Sequence, residues 1–205
     1  NRSELRLLQG DVSSLSDVKR AVEPAIREFG GLDIMVANAG IAVGQRFLEI
    51  DDATWTRIID TNLNGTFYSM QEAALVMVPA GKGSIVVTSS TNAFYVESTL
   101  AHYNASKGGI DALIRSAALE LAATGVRVNG VAPSMVRTRA AFVTTESTAS
   151  REYLERVPMG RFAEVSEIAQ AVAFFASDRS SYCTGQVLVL DGGTTLGIFL
   201  PEAGA

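Results

Sequence analysis

The sequence predicts one α/β domain built on a parallel sheet with helices on both faces. Apolar, strand-like runs alternate along the chain with segments whose apolar residues repeat every three to four positions, which is typical of this fold class. One run, Leu32–Ala37, is apolar almost throughout, as strands buried on both faces of a sheet are. The 205 residues show no internal repeat and no change in amino-acid composition that would mark a domain boundary. We therefore expect a single domain over 1–205.

The composition argues against several classes of partner. Lys and Arg number 17 against 22 Asp and Glu, a net charge of −5 without a basic stripe, so neither nucleic acid nor an anionic membrane is expected to bind. The longest apolar stretches, such as Ala73–Ala80, are far shorter than a membrane span. Cys183 is the only cysteine, which rules out an internal disulfide and suits a reducing compartment. We therefore expect a cytoplasmic protein with a small-molecule partner, and no motif indicates a metal site.

The first elements are a strand and a helix. Leu5–Gln9 has the apolar pattern of a strand. The helix begins at Ser14 or Ser16, either of which can cap it, and runs to about Phe29. It ends at Gly30 and Gly31, since glycine adopts the left-handed backbone that terminates helices.

The next elements are the strand Leu32–Ala37 and a long helix. That helix begins at Asp51 or Asp52 and continues to Pro79. Its apolar residues recur at helical spacing and predict one buried face: Ile59, Leu63, Phe67, Met70, Ala74 and Met77.

The second half of the chain continues the alternation. Ser84–Thr88 predicts a strand, Ala101–Ala123 a helix, and Val126–Ala132 a strand that Pro133 ends. Between Ser134 and Arg156 the periodicity is lost, and we expect a substrate lid over 134–156. The last elements are a helix over about Glu164–Ser177 and a strand over Gln186–Leu190.

Tyr103 and Lys107 lie four residues apart on one helix face. A free tyrosine has a pKa of about 10. A fixed ammonium one turn away favours the phenolate, and we expect it to lower the pKa of Tyr103 toward neutrality. The pair would then donate and accept a proton near working pH. The same spacing is common on exposed helices, so the prediction depends on the neighbouring motifs.

Three further motifs accompany this pair. Ser90 lies thirteen residues before Tyr103 and follows a strand. Asn62 stands in Thr61-Asn62-Leu63-Asn64-Gly65, and Asn38-Ala39-Gly40 closes an apolar run. Together these motifs resemble the short-chain dehydrogenase/reductase family, and the resemblance extends from Asp11 to Gly193. It implies a Rossmann-type doubly wound fold and an NAD(P)-dependent oxidoreductase that interconverts a secondary alcohol and a ketone by hydride transfer.

The resemblance implies a role for each of these side chains. Tyr103 would be the general acid or base, and Lys107 would lower its pKa and hold the nicotinamide ribose. Ser90 would hydrogen-bond the substrate oxygen; the neighbouring Ser89 is the alternative, but the spacing favours Ser90. Asn62 would hold a proton-relay water near Lys107. His102 adjoins Tyr103, but neighbours on a helix point about 100° apart, so we do not expect it on the catalytic face.

The resemblance also implies cofactor contacts. Asp11 and Val12 would meet the adenine. The remaining contacts would lie around the nicotinamide half: Asn38, Ala39, Gly40, Tyr103, Lys107, Pro133, Val136 and Thr138. Two positions depart from the family pattern, because Ala37 replaces a frequent asparagine and Ser134 replaces the usual glycine.

The glycine-rich strand-turn-helix segment with which the family opens does not occur in this sequence. We expect on the order of 50 further residues upstream, since the strand Leu5–Gln9 would otherwise have no neighbour. The residue that selects NAD or NADP belongs to that segment, so the sequence leaves the preference open.

The substrate pocket is predicted from the segment after Ser90 and from the lid: Asn92, Phe94, Tyr95 and Phe142. These polar and aromatic side chains favour a sugar, polyol or cyclic alcohol. A 3-oxoacyl thioester reductase of the same family is the alternative, and a catalytically inactive dinucleotide-binding sensor is a third. By resemblance, we also expect a homo-oligomer, with a tetramer favoured.

Overall fold

Within residues 5–138 and 148–197, which the structure describes, the computed structural model contains one sheet of four parallel strands. The strands are Ile34–Ala37 (β1), Gly83–Thr88 (β2), Val126–Pro133 (β3) and Val187–Leu190 (β4). They pair in the order β1-β2-β3-β4, each parallel to its neighbour. The predicted α/β fold with a parallel sheet is confirmed.

Helices connect these strands and cover the sheet. The α-helices of the described ranges are α1 (Leu15–Phe29), α2 (Asp52–Ile59), α3 (Gly65–Ala80), α4 (Ala101–Leu121), α5 (Thr148–Leu154) and α6 (Val165–Ala176). Ser14 caps α1 by accepting the amide of Asp17, and Asp51 caps α2 by accepting the amide of Thr54. A π-helical turn, Asp60–Asn64, joins α2 to α3 without a break, so the long helix predicted here has a widened turn in its middle.

The central strand β2 packs on two separate apolar layers. Ile85 belongs to a buried cluster with Met77 of α3 and Ile114 of α4. Its neighbour Val86 packs on the opposite face with Phe175 of α6. Because successive strand residues point to opposite faces, this alternation places helices on both sides of one sheet, as predicted.

The prediction of a strand at Leu5–Gln9 is wrong. These residues form no strand, and the side chains of Leu5 and Leu7 are 76% and 85% exposed. A strand needs a hydrogen-bonding neighbour, and in the described part β1 pairs with β2 alone. In β1 the side chains of Ile34 and Val36 are 46% and 43% exposed.

The segment predicted as a lid contains α5, a short helix that the loss of periodicity did not predict. After β3 the backbone of Val136 forms an isolated parallel bridge with Ala163, which ties the start of this segment to the residues before α6. Positions 139–147, which include Phe142, lie outside the described residues.

Candidate active site

The side chains predicted to act in proton transfer meet at the carboxyl edge of the sheet. The ends of β1, β2 and β3 border a cleft of about 450 Å³, and α4 forms its wall. The cleft is lined by Asn38, Gly40, Ile41, Ala42, Thr88, Ser89, Ser90, Tyr103, Lys107, Pro133 and Ser134. In parallel α/β sheets this edge is where ligands bind. Six of the predicted site residues therefore share one cleft.

Lys107 is buried in the wall of this cleft. Its Nζ donates a hydrogen bond to the carbonyl oxygen of Thr88 at 2.8 Å and lies 5.5 Å from the ring centroid of Tyr103. Burial lowers the pKa of Lys107 from 10.5 to about 8, and the negative charge of Asp111 opposes that shift. At neutral pH the side chain is therefore still mostly an ammonium.

Tyr103 has a raised pKa, which contradicts the expectation that the lysine would lower it. Burial of the phenol is the largest cause, a hydrogen bond with Ser90 partly offsets it, and the charge of Glu97 adds to it. The ammonium of Lys107 lies near the ring, and the cost of desolvating a phenolate prevails over it. Tyr103 consequently holds its proton at neutral pH, in the form that can donate it.

Ser90 is held by a network that starts at Asn92. The Ser90 hydroxyl donates to Asn92 Oδ1 at 3.2 Å and accepts the Asn92 amide at 3.2 Å. Asn92 Nδ2 in turn donates to Asn104 Oδ1 on α4 at 2.9 Å. Asn92 is buried behind Ser90 and does not line the cleft as a pocket wall would.

Phe94 and Tyr95 do not line the cleft either. They are 54% and 49% exposed and follow the short turn Thr91–Ala93. His102 is fully buried, and its Nδ1 accepts the backbone amide of Tyr103 at 2.9 Å. Like these aromatic residues, His102 is not among the cleft-lining side chains.

Asn62 lies in the π-helical turn and joins three parts of the site. Its Oδ1 accepts the amide of Ile41 at 2.8 Å, and its Nδ2 donates to the carbonyl of Ile41 and to Ser106 Oγ on α4. A Cβ at Gly40 would lie 3.4 Å from Asn62 Oδ1 and 3.8 Å from Lys107 Nζ. The glycine thus keeps open the floor between these two side chains.

The remaining predicted cofactor residues lie at other places along the sheet edge. Asp11 and Val12 line a second cleft of about 380 Å³ beside α1 and β1. Asp11 Oδ1 accepts the amide and hydroxyl of Ser13, which lower the pKa of the carboxyl group. Ala39 and Thr138 are exposed, and Val136 is half-buried in the segment after β3.

The sequence did not lead us to predict roles for Asp111 and Tyr153. Asp111 follows Lys107 by one helical turn, and that spacing could have indicated it. Tyr153 of α5 lines a separate cavity of about 270 Å³ that borders the cleft at Ser134. Burial raises the pKa of Tyr153, and a hydrogen bond with Ser134 partly offsets that effect. No pattern in the sequence relates Tyr153 to Ser134.

Two kinds of feature are absent from residues 5–138 and 148–197. None of their helices is both long enough and apolar enough to cross a membrane. Nor do three or more His, Cys, Asp or Glu side chains of this part of the chain meet in a way that could hold a metal ion.

Comparison with known proteins matches residues 1–195 to a family described as Enoyl-(Acyl carrier protein) reductase. The 3-oxoacyl-[acyl-carrier-protein] reductase of Thermotoga maritima is 36% identical over 186 residues, which cover 91% of this chain and 75% of that protein. The L-rhamnose-1-dehydrogenase of Scheffersomyces stipitis is 37% identical over 188 residues, or 91% of this chain and 73% of that protein.

Among solved structures, a gluconate 5-dehydrogenase from Burkholderia cenocepacia in complex with NADP and tartrate matches with a TM-score of 0.88 at 30% identity. That match covers 92% of this chain and 74% of that chain. The Rossmann-like parallel sheet, with half-buried Tyr103 and buried Ser90 and Lys107 at its carboxyl edge, agrees with these matches to dehydrogenases and reductases. With these matches, the chain belongs to the short-chain dehydrogenase/reductase family, and its reaction is at CH–OH groups.

Proposed function

We propose that this chain is an NAD(P)-dependent oxidoreductase that interconverts a secondary alcohol and its ketone by hydride transfer. The observation that carries the proposal is the meeting of Ser90, Tyr103 and Lys107 in one cleft at the carboxyl edge of the sheet. Tyr103 retains its proton at neutral pH and can give it to a carbonyl oxygen during reduction. In oxidation the same oxygen would receive the proton of the alcohol.

Ser90 would orient the substrate oxygen toward Tyr103. Its hydroxyl donates to Asn92 Oδ1, so a substrate oxygen would replace Asn92 as the acceptor. Asn92 keeps a second anchor on Asn104 and can stay in place during that exchange. Asn62 would support the floor of the cleft and a relay water near Lys107.

The residues of the cleft fit a dinucleotide. Gly40 has no side chain between Asn62 and Lys107, so a ligand can approach the backbone there. When bound, the nicotinamide would supply or accept the hydride. Its half of the dinucleotide would contact Asn38, Ala39, Gly40, Tyr103, Lys107, Pro133, Val136 and Thr138. Asp11 and Val12 border the second cleft, where the adenine would lie, and either NAD or NADP is compatible with these contacts.

We favour a sugar, polyol or cyclic alcohol as the substrate. Two relatives support this class by their names, L-rhamnose-1-dehydrogenase and gluconate 5-dehydrogenase. The alternative, a 3-oxoacyl thioester, is favoured by the Thermotoga maritima relative and by the description of the matching family. An acidic carrier protein would need a basic rim, but Arg137 near the cleft is paired with Glu164 at 3.3 Å and the chain is acidic overall.

A substrate panel tests this choice. Sugars, polyols and cyclic alcohols are compared with 3-oxoacyl thioesters under one set of conditions, each with NAD and NADP. We expect the largest kcat/KM with an alcohol of the first group. A thioester value a hundredfold higher, about 2.7 kcal/mol of transition-state preference, would reverse the choice. Nucleotide binding without turnover of any compound would instead support the inactive sensor.

Substitution of the tyrosine tests the proton-transfer role. Tyr103→Phe keeps the ring volume and loses the hydroxyl, so we expect turnover to fall at least about a hundredfold. Circular dichroism and nucleotide affinity should stay close to those of the wild type. Activity above a few per cent would require another proton donor.

A homo-oligomer, with a tetramer favoured, and a cytoplasmic location complete the proposal. Support for the oligomer is an apolar groove of about 410 Å³ along α3 and α4, and support for the cytoplasm is the single cysteine.

A further inference from the structure

Asp111 continues the stripe of α4 that carries Tyr103 and Lys107. The three residues are spaced at i, i+4 and i+8, so they lie one above the other on the same helix face. Asp111 is only 9% exposed, although a carboxylate is costly to bury. Its position one helical turn from the buried Lys107 indicates a function beyond packing.

Asp111 is bound by the residue that precedes Ser90. The Ser89 hydroxyl donates to Asp111 Oδ1 at 2.5 Å, and the Ser89 amide donates to Val131 of β3 at 2.8 Å. Three consecutive residues at the end of β2 therefore contact the active face of α4. Thr88 accepts the hydrogen bond of Lys107, Ser89 binds Asp111, and Ser90 interacts with Tyr103.

The charge of Asp111 acts directly on Lys107. Within the described residues Lys107 has no ion pair, and Asp111 is the charged group that counteracts the effect of burial on it. Burial raises the pKa of Asp111, and the Ser89 hydroxyl, Arg115 and Lys107 oppose that rise and favour the charged carboxylate. Among the described residues, the charged groups that shift these two pKa values are Lys107, Asp111 and Arg115, all on α4.

We propose that Asp111 is a positioning residue, whose buried carboxylate keeps Lys107 protonated and, through Ser89, holds the end of β2 that carries Ser90 against α4. The effect of Asp111 on the protonation of Lys107 does not require substrate and can be measured on the protein alone. The effect on turnover rests on the proposed function, because it assumes that Lys107 and Ser90 act in proton transfer.

Two substitutions separate the effect of the Asp111 charge from the effect of its hydrogen bond with Ser89. Asp111→Asn keeps the shape and an oxygen that can accept from Ser89, but removes the charge. Ser89→Ala removes the hydrogen bond and leaves the charge of Asp111. Glu120→Gln is the matched control, since it removes one exposed acidic group from the same helix.

The decisive measurement is an NMR titration of lysine side chains labelled with ¹³C at Cε. The 205-residue sequence contains three lysines, and Lys19 and Lys82 are exposed references for the buried Lys107. Lys107→Arg assigns the signal. In Asp111→Asn the midpoint of Lys107 should fall by about one pH unit, because the nearby negative charge is lost. Glu120→Gln should leave the midpoint within about 0.2 pH unit of the wild type.

This titration needs no substrate, so its outcome does not depend on the proposed function. A midpoint in Asp111→Asn within about 0.2 pH unit of the wild type, in a folded protein, would overturn the electrostatic part of the proposal. If Asp111→Asn does not fold, Asp111→Ser provides a smaller neutral side chain for the same measurement and the same criterion.

Kinetics test the positioning part, with an alcohol that the substrate panel identifies. In Asp111→Asn the loss of kcat at alkaline pH should begin about one pH unit lower than in the wild type. In Ser89→Ala kcat should fall about tenfold with little change in KM and no shift of the pH profile. Unchanged kcat in Ser89→Ala would refute the role of the serine, even if the titration supports the role of the charge.

Discussion

At the residue scale, burial drives Tyr103 and Lys107 toward their neutral forms. It raises the pKa of the phenol and lowers the pKa of the ammonium to about 8. The site thus contains a protonated tyrosine and a buried cation, and the buried cation reduces the stability of the fold. Groups that destabilise the fold in this way are typical of functional sites.

Removal of this buried charge should stabilise the unliganded protein. The difference between a pKa of 10.5 and one of about 8 corresponds to roughly 3 kcal/mol, and the lost hydrogen bond to Thr88 offsets about 1 kcal/mol of it. Lys107→Met should therefore raise the Tm by about 4–8 °C while it abolishes turnover. Lys82→Met, at an exposed site, should change the Tm by less than about 1 °C. A lower Tm in Lys107→Met would contradict this account.

The pH dependence of the free energy of unfolding should show the contribution of Lys107. The folded pKa of Lys107, about 8, is below its ordinary value of 10.5, so between these values the unfolded chain binds the extra proton. The stability penalty is complete below pH 8 and is relieved as the pH rises toward 10.5. The free energy of unfolding should thus differ most between wild type and Lys107→Met at pH 7. The difference should shrink by pH 10; a constant difference would count against the assignment.

At the element scale, two glycines on helices distinguish close packing from open space. A Cβ on Gly65 at the start of α3 would lie 2.8 Å from Val12 Cγ2 and 3.0 Å from the Val12 carbonyl. A Cβ on Gly108 of α4 would meet only the Ala93 carbonyl, at an ordinary 3.5 Å. The contact at Gly65 keeps the segment with Asp11 and Val12 against the π-helical turn.

Alanine at these two positions should have opposite effects. Gly65→Ala should destabilise the protein by about 1–3 kcal/mol, because backbone atoms of Val12 must move. It should also weaken nucleotide binding, since Asp11 and Val12 border the proposed adenine site. Gly108→Ala should be neutral or stabilising by up to about 1 kcal/mol through helix propensity. Urea denaturation measures the change in stability of each variant, and nucleotide titration measures the change in binding. Equal effects of the two substitutions would rule out the packing argument.

At the scale of the whole molecule, the apolar groove along α3 and α4 determines the expected assembly. Leu75 in this groove is 63% exposed, and Phe67 beside it is also exposed. Exposed apolar area of this kind marks an interaction surface. Light scattering should give a mass that is a multiple of the 21.7 kDa chain, with four copies favoured.

A charge placed in the groove should break up that assembly. Leu75→Glu should reduce the mass toward that of one chain, because a buried unpaired carboxylate costs several kcal/mol at an interface. Leu48→Glu is the control, since Leu48 is exposed but lies outside the groove. A wild-type mass equal to one chain at micromolar concentration would overturn the expected oligomer.

The sequence alone was sufficient to predict the alternation of strands and helices and the grouping of Tyr103, Lys107 and Ser90. Tyrosine and lysine four residues apart share a helix face, and an apolar run that ends in serines indicates the edge of a sheet. The pairing of Tyr103 with Lys107 depends on short-range spacing, which the chain specifies before it folds, whereas the grouping with Ser90 followed from the resemblance to a family. The order of the strands then brings their ends into one cleft.

Only the tertiary structure decided the features that depend on distant partners. Leu5–Gln9 has the composition of a strand but forms none, because a strand exists only beside another. The pKa of Tyr103 is raised because burial prevails over the lysine that spacing brings close. The hydrogen bond between Asn92 and Asn104 and the one between Ser89 and Asp111 join residues 12 and 22 positions apart. Hydrogen bonding and desolvation across such separations are properties of the packed chain, so no local pattern in the sequence could specify them.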